Sequence, residues 1–144
     1  AVVEDGLVHW ASLGDSRIYF LADDAHVQLS TDHSVAEELI RGGASRVEAE
    51  NSLQAHAITR WLGRDSEDII PHTGTLQLTA GGWVLGCSDG LWNYASSPEA
   101  MSGLFQSMLG RSPSPAFLAE ALVEWANDQG GRDNITAVLA RIEH

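Results

Sequence analysis

The chain has 144 residues, 44% of them hydrophobic, which is enough for one domain with a substantial core. Its eight basic residues are all Arg and stand against twenty Asp and Glu, a net charge of −12 that argues against nucleic acid or an anionic membrane as partner. No apolar run approaches the ~20 residues that span a bilayer. The single Cys87 and the lack of a signal-peptide pattern lead us to expect a cytoplasmic protein.

The first third of the chain predicts three strands followed by a helix. Apolar runs at 7–13 and 16–22 predict two strands joined by a tight turn, and 23–30 predicts a third, so that the three form a meander. Ser34 is placed to cap the following helix, which ends at a pair of glycines. Glu37, three residues later, predicts a capping box with Ser34.

The rest of the chain predicts further strands and two longer helices. The runs at 72–79 and 82–88 predict strands that pair across a tight turn, and 135–142 predicts a last strand. Helices are predicted near 98–110 and 114–128. The strands 82–88 and 135–142 are apolar on both faces over part of their length, which predicts cover from both sides. We therefore predict an α+β fold of stacked antiparallel sheets with helices outside.

Three aspartates share one local context, a tight turn at the end of a predicted strand with glycine nearby. They are Asp15 in "LGDSR", Asp89 in "CSDGL" and Asp133 in "GRDNI". Each alone is an ordinary turn residue, and Asp89 is also placed to cap a short helix. They lie too far apart in the chain for one local metal-binding loop, so they meet only where strand ends meet. Carboxylates gathered in that way suit hard cations such as Mg²⁺ and Mn²⁺.

The strongest signal is a series of five motifs that covers about residues 8–142. In chain order they read "ASLGDSRIYFL", "LSTDHS", "AITRWLG", "GCSDGLWNY" and "GGRDNITAVLARI". Together they strongly resemble the metal-dependent Ser/Thr protein phosphatases of the PPM (type 2C) family, bacterial branch. The resemblance implies a four-layer α-β-β-α sandwich of antiparallel sheets flanked by helices. Residues 1–144 would be a partial domain lacking its N-terminal part, with 34–56 as the family's flap.

The same resemblance implies a metal site. The aspartates of the family's "SDG" and "DN" motifs hold one metal centre, which makes Asp89 and Asp133 ligands. The aspartate of "GDSR" helps to hold a third, weaker metal, which assigns that role to Asp15. The complete domain would bind two or three Mn²⁺ or Mg²⁺ ions.

Several neighbouring residues receive smaller roles. Asn134 is expected to hydrogen-bond around the Asp133 carboxylate or, equally, only to form the turn, and Ser88 and Gly90 are expected to support Asp89. His33 lies beside the flap, where it affects substrate access or, as we favour, anchors the following helix. Four other conspicuous residues are expected to be structural: Arg17, Arg60, Trp92 and Cys87.

The activity implied is hydrolysis of phosphoserine and phosphothreonine in signalling proteins by a metal-activated water. The substrate would be a phosphorylated protein, with neither nucleic acid nor a membrane as partner. The alternative is a non-catalytic PPM-like module that binds or regulates a partner, but its aspartates would then have little reason to be intact.

The family's N-terminal motifs have no counterpart in this chain. Among them are an acidic motif and an aspartate that bridges the two main metals, whereas the "EDG" at 4–6 is expected to be an ordinary turn. We therefore expect the 144 residues alone to be inactive. The uncovered surface would be completed by the missing N-terminal half of the domain or by a second copy of the chain.

Overall fold

The computed structural model describes residues 1–23 and 25–143. Within these residues seven strands form two antiparallel sheets, sheet A with the order β1-β2-β5 and sheet B with the order β4-β3-β6-β7. The strands are β1 (Val2–Glu4), β2 (Leu7–Ser12), β3 (Arg17–Leu21), β4 (His26–Gln28), β5 (His72–Gln77), β6 (Gly82–Cys87) and β7 (Ala137–Ile142). The predicted arrangement of stacked antiparallel sheets is confirmed.

The helices of the described residues lie between and outside the strands. They are α1 (Val35–Arg41), α2 (Arg46–Glu50), α3 (Asp89–Trp92), α4 (Pro98–Leu109) and α5 (Pro115–Asp128). Both long helices begin with a Ser-Pro pair, in which the serine oxygen accepts a backbone N–H and the proline fills the first helical position. None of the helices described here has the length and hydrophobicity that a membrane crossing requires.

The two inner strands of sheet B, β3 and β6, are buried on both faces. On one side, alternate residues such as Tyr19, Leu21 and Leu85 pack against α4 and α5, and Phe105 and Leu122 are fully buried there. On the other side, residues of opposite parity meet sheet A in a second cluster that contains Val8, Phe20, Leu78 and Val84. The described layers are thus helices, sheet B and sheet A, in that order.

The outer face of sheet A is open in the described part of the chain. His9, Thr75 and Gln77 lie on this face and are exposed, and Val2 on the edge strand is 62% exposed. The helical layer expected on this side therefore has no counterpart among these residues.

The predicted meander over 7–30 is wrong in its first pairing, whereas its second pairing, between β3 and β4, is confirmed. β2 pairs with β1 and β5, whereas β3 pairs with β4 and β6, so the first two predicted strands belong to different sheets. The reason is that Val8 and Phe20 face one another across the interior of the sandwich, which places their strands in opposite layers. Gly14, with φ of +103°, allows the chain to turn from one layer to the other.

The predicted hairpin between 72–79 and 82–88 is also wrong. β5 alternates between half-buried and exposed residues and is an edge strand of sheet A. By contrast, β6 is an inner strand of sheet B. Burial on both faces is confirmed for β6 but not for β7, which is the edge strand of sheet B and exposes Val138. An apolar run predicts a strand, but it does not show which sheet the strand joins.

The capping box lies one helix later than predicted. Ser34 accepts the N–H of Glu37, but the Glu37 carboxylate pairs with Arg41 instead of returning to Ser34. The complete box forms at α2, where Ser45 accepts the N–H of Glu48 and the Glu48 carboxylate accepts the N–H of Ser45. The segment 34–56, expected to be the flap, therefore contains a second helix with a complete cap.

Candidate active site

The sheet register brings the three predicted aspartates to one edge. Cys87 at the end of β6 pairs with Arg17 at the start of β3 and with Ala137 at the start of β7. Asp15 precedes β3, Asp89 follows β6 and Asp133 precedes β7, and the three strands are antiparallel neighbours. All three aspartates therefore leave sheet B at the same edge, although they come from distant parts of the sequence.

Asp89 is close enough to Asp15 to affect the ionisation of the Asp15 carboxyl. Burial is the largest cause that raises the pKa of Asp15, and the negative charge of Asp89 raises it further. Trp92 fixes the turn that carries Asp15, because its indole Nε1 donates to the backbone oxygen of Asp15 at 2.9 Å. Two half-buried carboxylates close together repel each other, and Arg17 offsets only part of that effect at Asp15. A bound cation would relieve the remaining repulsion.

Asp89 is the first residue of α3, with Ser88 as the N-cap. Its Oδ1 accepts the N–H of Gly90 at 2.9 Å, so the carboxylate is held against the start of the helix. A Cβ at Gly90 would lie 2.4 Å from the carbonyl oxygen of Asn134. Only glycine therefore allows α3 to approach the turn that carries Asp133 so closely.

Asp133 is held by its own turn and by Ser88. Its Oδ1 accepts the backbone N–H of Asn134 at 2.7 Å. Ser88 joins the two motifs, because its hydroxyl donates to the Asn134 carbonyl and accepts the N–H of Thr136, both at 3.0 Å. The contact between Asn134 and the Asp133 carboxylate is thus made by the backbone, and a role for the Asn134 side chain stays a prediction.

His33 is buried at the base of the flap, away from solvent. Its Nδ1 accepts the N–H of Gly14 at 3.2 Å, and its own backbone N–H donates to the Gly14 oxygen at 2.8 Å. The backbone oxygen of His33 also accepts the N–H of Thr59. These contacts tie the start of α1 to the turn that carries Asp15, which supports the structural role over one in substrate access.

Arg17 is buried beside the site, and its surroundings were only partly predicted from the sequence. Arg17 pairs with Asp32 at 2.7 Å, and their side chains are only 3% and 5% exposed. The guanidinium also lies 3.6 Å from the ring centre of Trp92 and donates to the Ser96 oxygen at 2.7 Å. A structural role for Arg17 was expected and agrees with this ion pair, but its stacking on Trp92 has no signal in the sequence.

Cys87 is not placed to act as a nucleophile. It is buried, and burial raises the pKa of its thiol to about 12, so it stays protonated at neutral pH. The structural roles expected of Trp92 and Arg60 also agree with the structure, since Trp92 is core and Arg60 pairs with Asp68 at 3.1 Å.

The donors at this edge suit a hard cation in kind but are few in number. All three aspartates offer carboxylate oxygens, which Mn²⁺ and Mg²⁺ accept as ligands. Among residues 1–23 and 25–143, however, no three His, Cys, Asp or Glu side chains stand together as a metal-binding group. The residues present therefore fit part of a metal site that needs further donors.

An open cleft of about 430 Å³ leads from this edge to the flap. The residues that line it fall into two groups, which we call its walls. The flap wall is the end of α2, with Glu50 and Asn51, and the other wall is formed by Gly90 of α3 with Arg132 and Asp133. The cleft thus connects a proposed metal ligand directly with the flap.

Comparison with known proteins gives a consistent result. The chain is 36% identical over 140 residues to the protein phosphatase PhpP of Streptococcus pneumoniae, which covers 96% of this chain and 54% of PhpP. It is 34% identical over 140 residues to the serine/threonine phosphatase Stp of Listeria innocua, again 96% of this chain and 53% of the relative. The chain therefore spans about half the length of the curated relatives it matches. No family model matches the chain.

Solved structures agree with these relatives. The serine/threonine phosphatase PstP/Ppp of Mycobacterium tuberculosis superposes with a TM-score of 0.82 at 30% identity, over 99% of this chain and 58% of that one. The catalytic domain of a PstP in complex with two manganese ions superposes with a TM-score of 0.77 at 29% identity, over 99% and 56%. The chain thus belongs to the PPM family of Ser/Thr phosphatases, as the C-terminal part of its domain.

Proposed function

We propose that the protein containing this chain is a metal-dependent phosphatase that removes phosphate from phosphoserine and phosphothreonine in proteins. The observation that carries the proposal is the meeting of Asp15, Asp89 and Asp133 at one edge of sheet B. The relatives add support, because those that match most of this chain are protein phosphatases. No observation favours the alternative of a non-catalytic binding module.

Asp89 and Asp133 are proposed to hold the main metal centre, with Asp15 contributing to a further ion. Mn²⁺ is the favoured metal, because a structural relative is a complex with two manganese ions, and Mg²⁺ is the alternative. When bound, such ions lower the pKa of water and neutralise charge on the transferred phosphoryl group.

The chain's own contribution is to fix the carboxylates before the substrate arrives. Ser88 and Gly90 hold the turns of Asp89 and Asp133 together. Trp92 fixes the Asp15 turn. We propose that further ligands, and cover for sheet A, come from the N-terminal half of the domain or from a second copy. The proposed setting is a cytoplasmic signalling protein.

The test is metal-dependent hydrolysis of an aryl phosphate by the full-length protein. Asp89→Asn and Asp133→Asn should each lower kcat/KM at least about a hundredfold, because each removes a charged ligand whose binding energy acts on the reaction. Asp15→Asn should have a smaller effect, since it leaves the main centre intact. The 144 residues alone should show no activity, because their described donors do not complete a metal site.

Asp128→Asn is the matched control. Asp128 is exposed at the end of α5, and the substitution removes the same charge as the other two. It should leave kcat/KM unchanged. Calorimetry with Mn²⁺ should show weaker binding for the Asp89 and Asp133 variants and wild-type binding for Asp128→Asn. Activity that survives both substitutions, or that persists in a chelator, would refute the assignment.

A further inference from the structure

Arg132 lines the cleft without an acidic partner. Among residues 1–23 and 25–143, five of the eight arginines lie within 4.0 Å of a carboxylate: Arg17, Arg41, Arg46, Arg60 and Arg141. The guanidinium of Arg132 forms none of the ion pairs or hydrogen bonds found in these residues, although the chain carries twenty acidic side chains. Its charge therefore does not serve an ion pair within the described fold.

The position of Arg132 is nevertheless fixed by its surroundings. Its backbone N–H donates to the hydroxyl of Tyr94 at 3.3 Å. The turn before it uses Gly130 and Gly131, both with positive φ, so the chain bends sharply into the wall of the cleft. Arg132 is also directly adjacent to Asp133. A charge at this place lies within one residue of a proposed metal ligand.

The negative charge across the cleft is already compensated. The Glu50 carboxylate accepts from Arg46 at 3.0 Å and from the Ser96 hydroxyl at 2.8 Å, and Arg17 lies 3.9 Å away. Asp133 is committed to the metal centre under the proposed function. The charge that remains available to a ligand in this cleft is the positive charge of Arg132.

We propose that Arg132 is a specificity-determining residue that binds an acidic side chain near the phosphorylated Ser or Thr of the substrate. This inference rests on the proposed function, which places the phosphate at Asp89 and Asp133. Successive residues of an extended peptide are about 3.3 Å apart, so a residue one or two positions from the phosphate comes within reach of a side chain adjacent to Asp133. A guanidinium suits this role, because it binds carboxylates with two parallel hydrogen bonds.

The experiment measures kcat/KM of the full-length protein with Mn²⁺ for matched phosphopeptides. One set carries Asp at the two positions on either side of the phosphoresidue, a second carries Asn there and a third carries Lys. An aryl phosphate without flanking residues reports the hydrolysis step. The wild type should prefer the Asp peptide over the Asn peptide, mainly through a lower KM.

Arg132→Gln should reduce that preference about threefold to fivefold, the size expected for one partly exposed ion pair. Arg132→Lys should retain part of it, because the charge remains and the paired hydrogen bonds do not. Arg132→Glu should shift the preference toward the Lys peptide. Arg111→Gln is the control, since Arg111 lies over the Phe117 ring in the loop after α4 and its loss changes the net charge equally.

Each outcome separates this inference from the function on which it rests. An unchanged Asp-to-Asn ratio in Arg132→Gln overturns the inference while leaving the phosphatase intact. So does an equal effect of Arg111→Gln, which would show a response to net charge alone. A fall of the same size for aryl phosphate and all peptides would place Arg132 on the phosphate itself and would likewise overturn it. A wild type that hydrolyses neither aryl phosphate nor peptide overturns the proposed function.

Discussion

The two walls of the cleft are held in different ways. The wall formed by α3 belongs to the main core, in which Leu91 and Trp92 are buried among the residues that pack under α4 and α5. The flap wall, with α1 and α2, buries only a cluster of three alanines, Ala36, Ala49 and Ala55, while Leu53 is fully exposed. Asp89 begins α3 and so belongs to the wall fixed by packing, whereas the flap wall is held by lighter contacts.

Those lighter contacts are mostly polar. At the base of the flap the backbone N–H of Val35 donates to Ala57 at 3.0 Å, next to a bridge between Ser34 and Ile58. Near the cleft, Glu50 joins α2 to Ser96 of the core. Segments with little buried apolar area open locally at low cost, so the flap is expected to move more readily than the edge of sheet B that carries the three aspartates.

The largest effect on stability is expected from replacing Arg17, which stacks on Trp92 and so supports the wall formed by α3. Replacing Arg17 with Met leaves Asp32 buried without its partner and should lower the free energy of unfolding by about 3–5 kcal/mol in a urea titration. Arg141→Gln is the control, because its pair with Glu143 is exposed and 4.0 Å long, and should change stability by less than about 0.5 kcal/mol.

Adding Asp32→Leu to Arg17→Met should recover part of the loss, because it removes the unpaired charge. A loss below about 1 kcal/mol for Arg17→Met would show that Arg17 is not needed to hold this wall together.

A smaller effect is expected at Gly90, where α3, which begins with Asp89, touches the turn that carries Asp133. Gly90→Ala would place a methyl group 2.4 Å from the Asn134 oxygen, so α3 and the Asp133 turn must separate. We expect a loss of about 1–3 kcal/mol in thermal or urea unfolding, together with weaker Mn²⁺ binding by calorimetry. Gly86→Ala is the matched control on β6, because a Cβ there meets nothing within 4 Å. Equal behaviour of the two variants would contradict the close contact.

The smallest effect on global stability is expected in the flap. Glu50→Ala removes the ion pair with Arg46 and the contact with Ser96, yet should change the free energy of unfolding by less than about 1 kcal/mol. Amide hydrogen exchange within α2 should nevertheless become about fivefold faster, because the local opening costs less. Glu38→Ala, at an exposed position of α1, should leave the exchange in α2 unchanged. A similar change in both variants would show that Glu50 does not hold the flap.

The elements that the sequence predicted well are those set by local pattern. The helices α4 and α5 were predicted within two residues, since their Ser-Pro starts and apolar faces are local signals. Of the predicted strand pairings, that of β3 with β4 is confirmed and two others are wrong. Alternation shows which residues of a strand are buried but not which neighbour the strand takes. The strand β1 was missed, since all three of its residues are exposed.

The features of the site also divide into those with a local signal in the sequence and those that depend on tertiary packing. The choice of Asp15, Asp89 and Asp133 came from motifs in the chain, and the register of sheet B then explains why they share an edge. The contact of Gly90 with Asn134 and the stacking of Arg17 on Trp92 depend on tertiary packing between distant segments, for which spacing in the sequence gives no signal.

The two ends of the flap are hydrogen-bonded to each other, which determines where the chain can accept insertions. Because Val35 meets Ala57 and His33 meets Thr59, the flap leaves the sandwich and returns to it at nearly one point. The entropy of closing a loop grows only slowly with its length. Insertions near Leu53, at the exposed tip between α2 and the returning chain, would therefore lengthen the flap without moving Asp15 or Asp89. The fold can therefore vary the surface of the flap while the edge that carries the three aspartates keeps its geometry.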